Sequence, residues 1–104
     1  MLEAALEGAC AAPLEIMSAC CEGIALAAEY AEKGSVMAVS DAGCAALFCK
    51  AALQAAGLNV SINTRLMADK SHATALNAQA DAMLAEFVPQ ADQIYEKLTH
   101  SLRG

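Results

Sequence analysis

Residues 40–63 read SDAGCAALFCKAALQAAGLNVSIN, and this stretch decides the fold. Alanine and leucine dominate it, and its polar side chains recur every three or four positions, which is the period of an α-helix. Alanine is also the strongest helix former. We therefore predict a long helix that begins around Ser40, with Ser40 as its N-cap and Asp41 in its first turn, and ends at about Ala68.

Two further helices flank this one. The first is predicted between Leu2 and about Lys33, where one narrow acidic stripe leaves the rest of the helix surface apolar. Pro13 is expected either to kink this helix or to mark its start. Gly34 and Ser35, which follow Lys33, are predicted to end this first helix. Asp69 or Ser71 then caps a third helix, with Pro89 as a kink. Its apolar stripe comprises Leu76, Ala80, Met83, Phe87, Ile94, Leu98 and Leu102.

The chain is therefore predicted to be all-α, a single helical unit over residues 1–104 that forms an antiparallel bundle of three long helices. Hydrophobic residues make up 58% of it, and 26 residues are alanine. Alanine buries little surface per residue, so a lone three-helix unit of this length would have little core volume. We expect a homo-oligomer, a dimer or higher, to complete the bundle.

Charge and cysteine usage exclude several classes of function. The net charge of −6 argues against nucleic acid and anionic membrane surfaces as partners. The chain has no run of 18 apolar residues that is free of charge, so no membrane-spanning helix is predicted. The N-terminus also lacks the basic region of a signal peptide. We therefore expect a cytoplasmic protein without membrane contact. Five cysteines without a CxxC motif are expected to be free thiols, and His72 and His100 lack companion ligands, so no metal is expected.

Three polar residues share one side of the central helix. At about 100° per residue, Asp41, Asn59 and Asn63 fall within about 40° of one another, beside the small residues Ala45 and Ala52 and away from the polar stripe that includes Lys50 and Arg65. We expect this side to be buried, where polar groups need partners or a ligand. Asp41 and Asn59 are about 27 Å apart along one helix. Two copies packed antiparallel could bring them together, which gives the hypothesis of a site shared between subunits.

These residues also carry a family resemblance. Residues 38–47, AVSDAGCAAL, followed by residues 58–63, LNVSIN, and then Asp69, resemble the C-terminal half of the cyclodeaminase domain of the formiminotransferase-cyclodeaminase and methenyltetrahydrofolate cyclohydrolase family. The stretch 9–17 is similar to the helix that precedes the SDxG turn in that family. Family members are typically near twice this length, so the resemblance covers the second half of such a domain.

The resemblance implies folate one-carbon chemistry, either as a formimidoyltetrahydrofolate cyclodeaminase or as a methenyltetrahydrofolate cyclohydrolase. Either reaction moves a proton beside a cationic centre, which suits a carboxylate, and Asp41 is our candidate catalytic residue. Ser40, Asn59 and Asn63 are the candidate substrate-binding residues. No cofactor is implied beyond the tetrahydrofolate derivative that serves as substrate. The alternative is a non-catalytic helical oligomerisation module derived from the family, which should bind no reduced folate.

Overall fold

The computed structural model describes residues 2–104 and shows three long helices: α1 (Glu3–Lys33), α2 (Val36–Leu66) and α3 (Lys70–Leu102). Side-chain caps begin the second and third: the Ser35 hydroxyl accepts the N–H of Ala38 at 3.4 Å, and Asp69 accepts the N–H of His72 at 3.0 Å. These bonds satisfy backbone donors that have no partner inside a helix. The all-α prediction is confirmed for the described residues. Completion by oligomerisation stays a prediction.

Two predicted helix boundaries differ from the structure. α2 begins at Val36, one turn before the predicted start, because Ser35 and not Ser40 is the N-cap. Gly34 adopts extended backbone (φ −82°, ψ 165°), so the chain leaves α1 and enters α2 within two residues. Ser40 and Asp41 consequently lie in the second turn of α2. Pro13 lies inside α1, which runs through it from Glu3.

The core runs along the centre of the bundle, where all three helices meet. Short connections make neighbouring helices antiparallel, and the molecule measures 54 × 17 × 15 Å. The largest fully buried side chains are Leu6, Cys10, Met17, Ile24, Leu53, Val60 and Met67. All three buried thiols belong to α1, and burial raises the pKa of Cys10, Cys20 and Cys21 because the thiolate is poorly solvated there. These cysteines act as small apolar residues, whereas Cys44 is exposed and Cys49 half-buried.

Small residues allow the helices to approach closely. A Cβ on Gly23 of α1 would lie 2.7 Å from Cys49 Sγ of α2, which is far inside van der Waals contact. Gly57 meets Leu84 Cδ1 and Met17 Cε, which would lie 3.5 and 3.6 Å from an added Cβ. The contacts of Gly23 and Gly57 fix the spacing of α2 against both other helices.

The predicted polar stripe of α2 is wrong in part, because α3 covers one side of it. Lys50 Nζ lies 2.6 Å from Asp92 Oδ1 of α3, and both side chains are partly shielded from solvent. In the last turn of α2, the buried Thr64 hydroxyl donates a hydrogen bond to Asn77 Oδ1 of α3 at 2.7 Å. These two contacts align α3 along α2 in one register.

Glu3 connects the start of α1 to the loop between α2 and α3. Its two carboxylate oxygens accept the N–H groups of Ala68 and Asp69 at 2.8 and 2.9 Å. Hydrogen bonds to the charged form favour ionisation, so they lower the pKa of Glu3. The end of the bundle at which the chain begins is therefore held by a charge-assisted contact.

By length and composition alone, α1 and the Met37–Leu66 part of α2 could cross a membrane, with mean hydropathies of 1.4 and 1.3. Alanine-rich core helices of water-soluble bundles meet the same criteria. Only 28% of each apolar window is buried within this bundle. Both helices therefore keep apolar surface that α3 does not cover. That no segment spans a membrane stays a prediction.

Candidate functional site

The side of the bundle opposite α3 carries exposed apolar side chains from both α1 and α2. We call this surface the outer face. It is formed by Ile16, Leu26 and Tyr30 of α1 and by Phe48, Ile62 and Leu66 of α2, each between 51% and 76% exposed. Single exposed apolar residues are ordinary, but a row of large ones along two neighbouring helices indicates an interaction surface.

Contacts on α2 show why its outer side points away from α3. Asn63 and Cys49 meet α1, through the carbonyl of Ala9 and the gap at Gly23. Lys50 and Thr64 meet α3. On a helix of 3.6 residues per turn these two sides leave one free side, and Phe48, Ile62 and Leu66 lie on it.

The structure places two of the candidate site residues on this outer face. Asp41 and Asn59 are both exposed, and by the helical period they lie beside Phe48 and Leu66. Asn63 is half-buried at the border with α1, where its Nδ2 donates to Asn59 O at 2.8 Å and to Ala9 O at 3.4 Å. Our expectation that this side of α2 is buried is wrong for Asp41 and Asn59 in the single chain. The side that is buried lies between α1 and α3 and carries Leu53 and Val60.

Ser40 lies apart from the other candidates. It is exposed and lines a groove of about 120 Å³ between α2 and α3, together with Tyr95 and Leu98. Consecutive helical residues point about 100° apart, so Ser40 faces the α3 side while Asp41 faces outward. The distance of about 27 Å between Asp41 and Asn59 also persists, because α2 is one uninterrupted helix. One copy therefore brings together Asn59 and Asn63 but neither of them with Asp41.

The outer face offers a carboxylate and an amide with free hydrogen-bonding capacity. Within residues 2–104, the side chains of Asp41 and Asn59 make no hydrogen bond or ion pair with protein. A carboxylate can accept a proton or face a cation, and an amide can both donate and accept hydrogen bonds. Asp41 and Asn59 both lie on open surface, so a ligand bound there would contact the protein on one side only. Among the described residues, no three histidine, cysteine, aspartate or glutamate side chains group closely enough to hold a metal ion.

Sequence reasoning missed the polar contacts that orient the helices behind this face. The pairs Lys50–Asp92 and Thr64–Asn77 join residues 42 and 13 positions apart. No local pattern links such residues. One signal in the sequence could have indicated them. The predicted polar stripe of α2 has too few polar residues for a side of the helix that is exposed along its whole length.

Comparison with known proteins identifies the family of this chain. The family model for formiminotransferase-cyclodeaminase matches residues 1–82. The chain is 37% identical over 95 residues to a methenyltetrahydrofolate cyclohydrolase of Methylorubrum extorquens, an alignment that covers 91% of this chain and 46% of that protein. The chain thus spans about half the length of the curated relative that it matches. The resemblance first seen in residues 38–47 and 58–63 is confirmed, and the chain belongs to the formiminotransferase-cyclodeaminase family.

Proposed function

We propose that this chain acts in folate one-carbon metabolism, on a tetrahydrofolate that carries a one-carbon unit between two nitrogens. Family membership and the activity in the name of its relative support this substrate class. The observation that carries the proposal is the exposed carboxylate of Asp41, which has no partner within residues 2–104. It stands in the stretch that resembles the family motif, on a face with apolar surface for a pterin ring.

The reaction is a cyclohydrolysis of 5,10-methenyltetrahydrofolate or the related cyclodeamination. In cyclohydrolysis, the oxygen of water bonds to the methenyl carbon and one carbon–nitrogen bond breaks. The freed nitrogen takes one proton of the water, and the other proton leaves to solvent. The substrate carbon is cationic, so Asp41 stabilises it by charge and accepts the proton of the attacking water. Asn59 and Asn63 lie about 27 Å or more from Asp41 along α2, so their amides orient the same pterin or water only in a site shared between two copies.

The alternative function is a non-catalytic oligomerisation module, and one observation favours it. The candidate residues lie on an open surface and span about 27 Å, so a single copy does not enclose a substrate. A packing module would keep the outer face but bind no reduced folate. Equilibrium binding of 5-formyltetrahydrofolate, followed by calorimetry, separates the two functions.

The decisive test is the decay of 5,10-methenyltetrahydrofolate absorbance at several protein concentrations. We expect decay faster than the uncatalysed background, and we expect Asp41→Asn to abolish the acceleration. Asp81→Asn is the matched control because Asp81 is an exposed acid on α3, away from the outer face. Equal activity of Asp41→Asn and the parent would refute the role of Asp41. No acceleration at any concentration, together with no folate binding, would favour the packing module.

A further inference from the structure

Pro13 leaves a gap in the hydrogen bonding of α1, and a side chain of α2 lies at that gap. In an α-helix the carbonyl of residue 9 accepts the N–H of residue 13, which proline lacks. α1 continues through Pro13 all the same. Asn63 Nδ2 of α2 donates a hydrogen bond to Ala9 O at 3.4 Å. We propose that Asn63 supplies the donor that Pro13 lacks, and that this contact holds its amide with only the oxygen available to a ligand.

The carbonyl of Ala9 needs a donor from outside its own helix. A proline ring clashes with the carbonyl four residues before it, so that carbonyl tilts away from the ring. Ala9 and Pro13 are both half-buried, which limits the access of water. In the same region Cys10 Sγ lies 4.0 Å from Val60 O, so α1 and α2 are in close contact there. A half-buried carbonyl without a partner would destabilise the fold, and the Asn63 amide prevents this.

Two carbonyl groups fix the orientation of the Asn63 amide. Besides its bond to Ala9, Nδ2 donates to Asn59 O, one turn earlier on α2, at 2.8 Å. Carbonyl oxygens only accept hydrogen bonds, so the NH2 group and not the amide oxygen must face them. Both N–H groups of Asn63 are thereby used inside the protein. Rotation of the amide would break two contacts at once.

The oxygen of the same amide stays available. Within residues 2–104, Asn63 Oδ1 accepts no hydrogen bond. The same part of the chain has no buried side-chain oxygen without a partner, so Oδ1 reaches solvent. Asn63 therefore offers a ligand an acceptor, which pairs with an N–H or O–H group. A tetrahydropterin carries ring N–H and amino groups of this kind. The ligand role rests on the proposed function, whereas the contact with α1 does not.

α3 contains a second proline that allows a matched comparison. Pro89 lies inside α3 and removes the donor to the carbonyl of Ala85. Ala85 is exposed, so solvent can serve its carbonyl. Within residues 2–104, no side chain donates a hydrogen bond to that carbonyl. Of the two prolines, only Pro13 therefore leaves a gap that a side-chain donor fills.

Urea unfolding of single and double variants at one protein concentration tests the contact. Pro13→Ala restores the N–H of residue 13, so Ala9 O no longer needs Asn63. We expect Asn63→Ala to raise the equilibrium constant of unfolding roughly 3- to 10-fold more in the parent than in Pro13→Ala. The gain in helix propensity is the same in both proteins and cancels in the comparison. In Pro89→Ala, Asn63→Ala should act as it does in the parent.

Asn59→Ala is the control for position. It removes an exposed amide from the preceding turn of α2, and that amide makes no hydrogen bond within residues 2–104. Its effect on unfolding should be the same with and without Pro13. Equal effects of Asn63→Ala in the parent and in Pro13→Ala would overturn the contact. An effect of Asn59→Ala that also depends on Pro13 would overturn it too, because the dependence would then come from the bend of α1.

Calorimetric titration with 5-formyltetrahydrofolate tests the ligand role separately. The Pro13→Ala background is used because the contact with α1 is not needed there, which leaves the loss of Oδ1 as the main change. We expect Asn63→Ala to weaken binding about 5-fold in that background. Unchanged affinity would refute Oδ1 as a ligand acceptor. A parent that binds no folate would refute the proposed function and this role with it, and the unfolding data would still decide the contact with α1.

Discussion

The contact between Gly23 and Cys49 predicts that Gly23→Ala destabilises the parent protein but stabilises a variant in which alanine replaces Cys49. Alanine at position 23 gains about 1 kcal/mol of helix propensity over glycine. Its Cβ, however, would lie 2.7 Å from Cys49 Sγ, and such overpacking costs roughly 2 kcal/mol. Gly23→Ala should therefore destabilise the parent by about 1 kcal/mol. Once Cys49→Ala removes the sulfur, the same substitution should stabilise by about 0.5–1 kcal/mol.

The assay is urea unfolding of the four proteins of this double-mutant cycle, followed by circular dichroism at one fixed protein concentration. Fixed concentration matters because self-association would add to apparent stability. The expected coupling between positions 23 and 49 is about 1.5–2 kcal/mol, well above the error of additivity for independent sites. If Gly23→Ala stabilises the parent and the Cys49→Ala protein equally, Cys49 Sγ moves out of the contact at little cost, and the overpacking penalty at this position is refuted.

Three further predictions concern the core, the helix ends and the thiols. Leu53→Ala should lower the free energy of unfolding by about 2–5 kcal/mol in urea melts, because Leu53 is fully buried; a loss below the error of the fit would contradict its place in the core. Glu3→Gln should lower the free energy of unfolding at neutral pH, and the difference from the parent should vanish as pH falls through the lowered pKa of Glu3. A group whose pKa is lower in the folded state stabilises the fold only while it is ionised. A loss of stability that does not depend on pH would point to a steric cause. Cys10, Cys20 and Cys21 should resist a thiol reagent until the chain unfolds, since burial keeps them protonated; rapid labelling in buffer, read by mass spectrometry, would contradict this.

The helices could be predicted from the sequence because the period and the alanine content act locally. Their ends could be predicted less well. Ser35 and Ser40 are both acceptable N-caps, and the choice depends on the extended backbone of Gly34, which brings Ser35 within reach of the N–H of Ala38. Asp69 was correctly among the candidates for the cap of α3, since it follows directly on the end of the apolar run.

The side of α2 that faces the core could not be predicted in the same way. Helical arithmetic correctly grouped Asp41, Asn59 and Asn63, because that grouping needs only the period. Which group is buried depends on where α1 and α3 approach, and a helix that is apolar on almost every side gives no local indication. Lys50 illustrates the difficulty: its ammonium group suggested solvent, but it pairs with Asp92, which is 42 residues away in the chain.

The odd number of helices has a consequence for circular permutation of the gene. With three antiparallel helices, Glu3 at the start of α1 and Leu102 at the end of α3 lie at opposite ends of a bundle 54 Å long. A linker that joins these two ends along the bundle needs at least about 16 extended residues. A permuted gene with a shorter linker would therefore encode a chain that cannot form all three helices at full length.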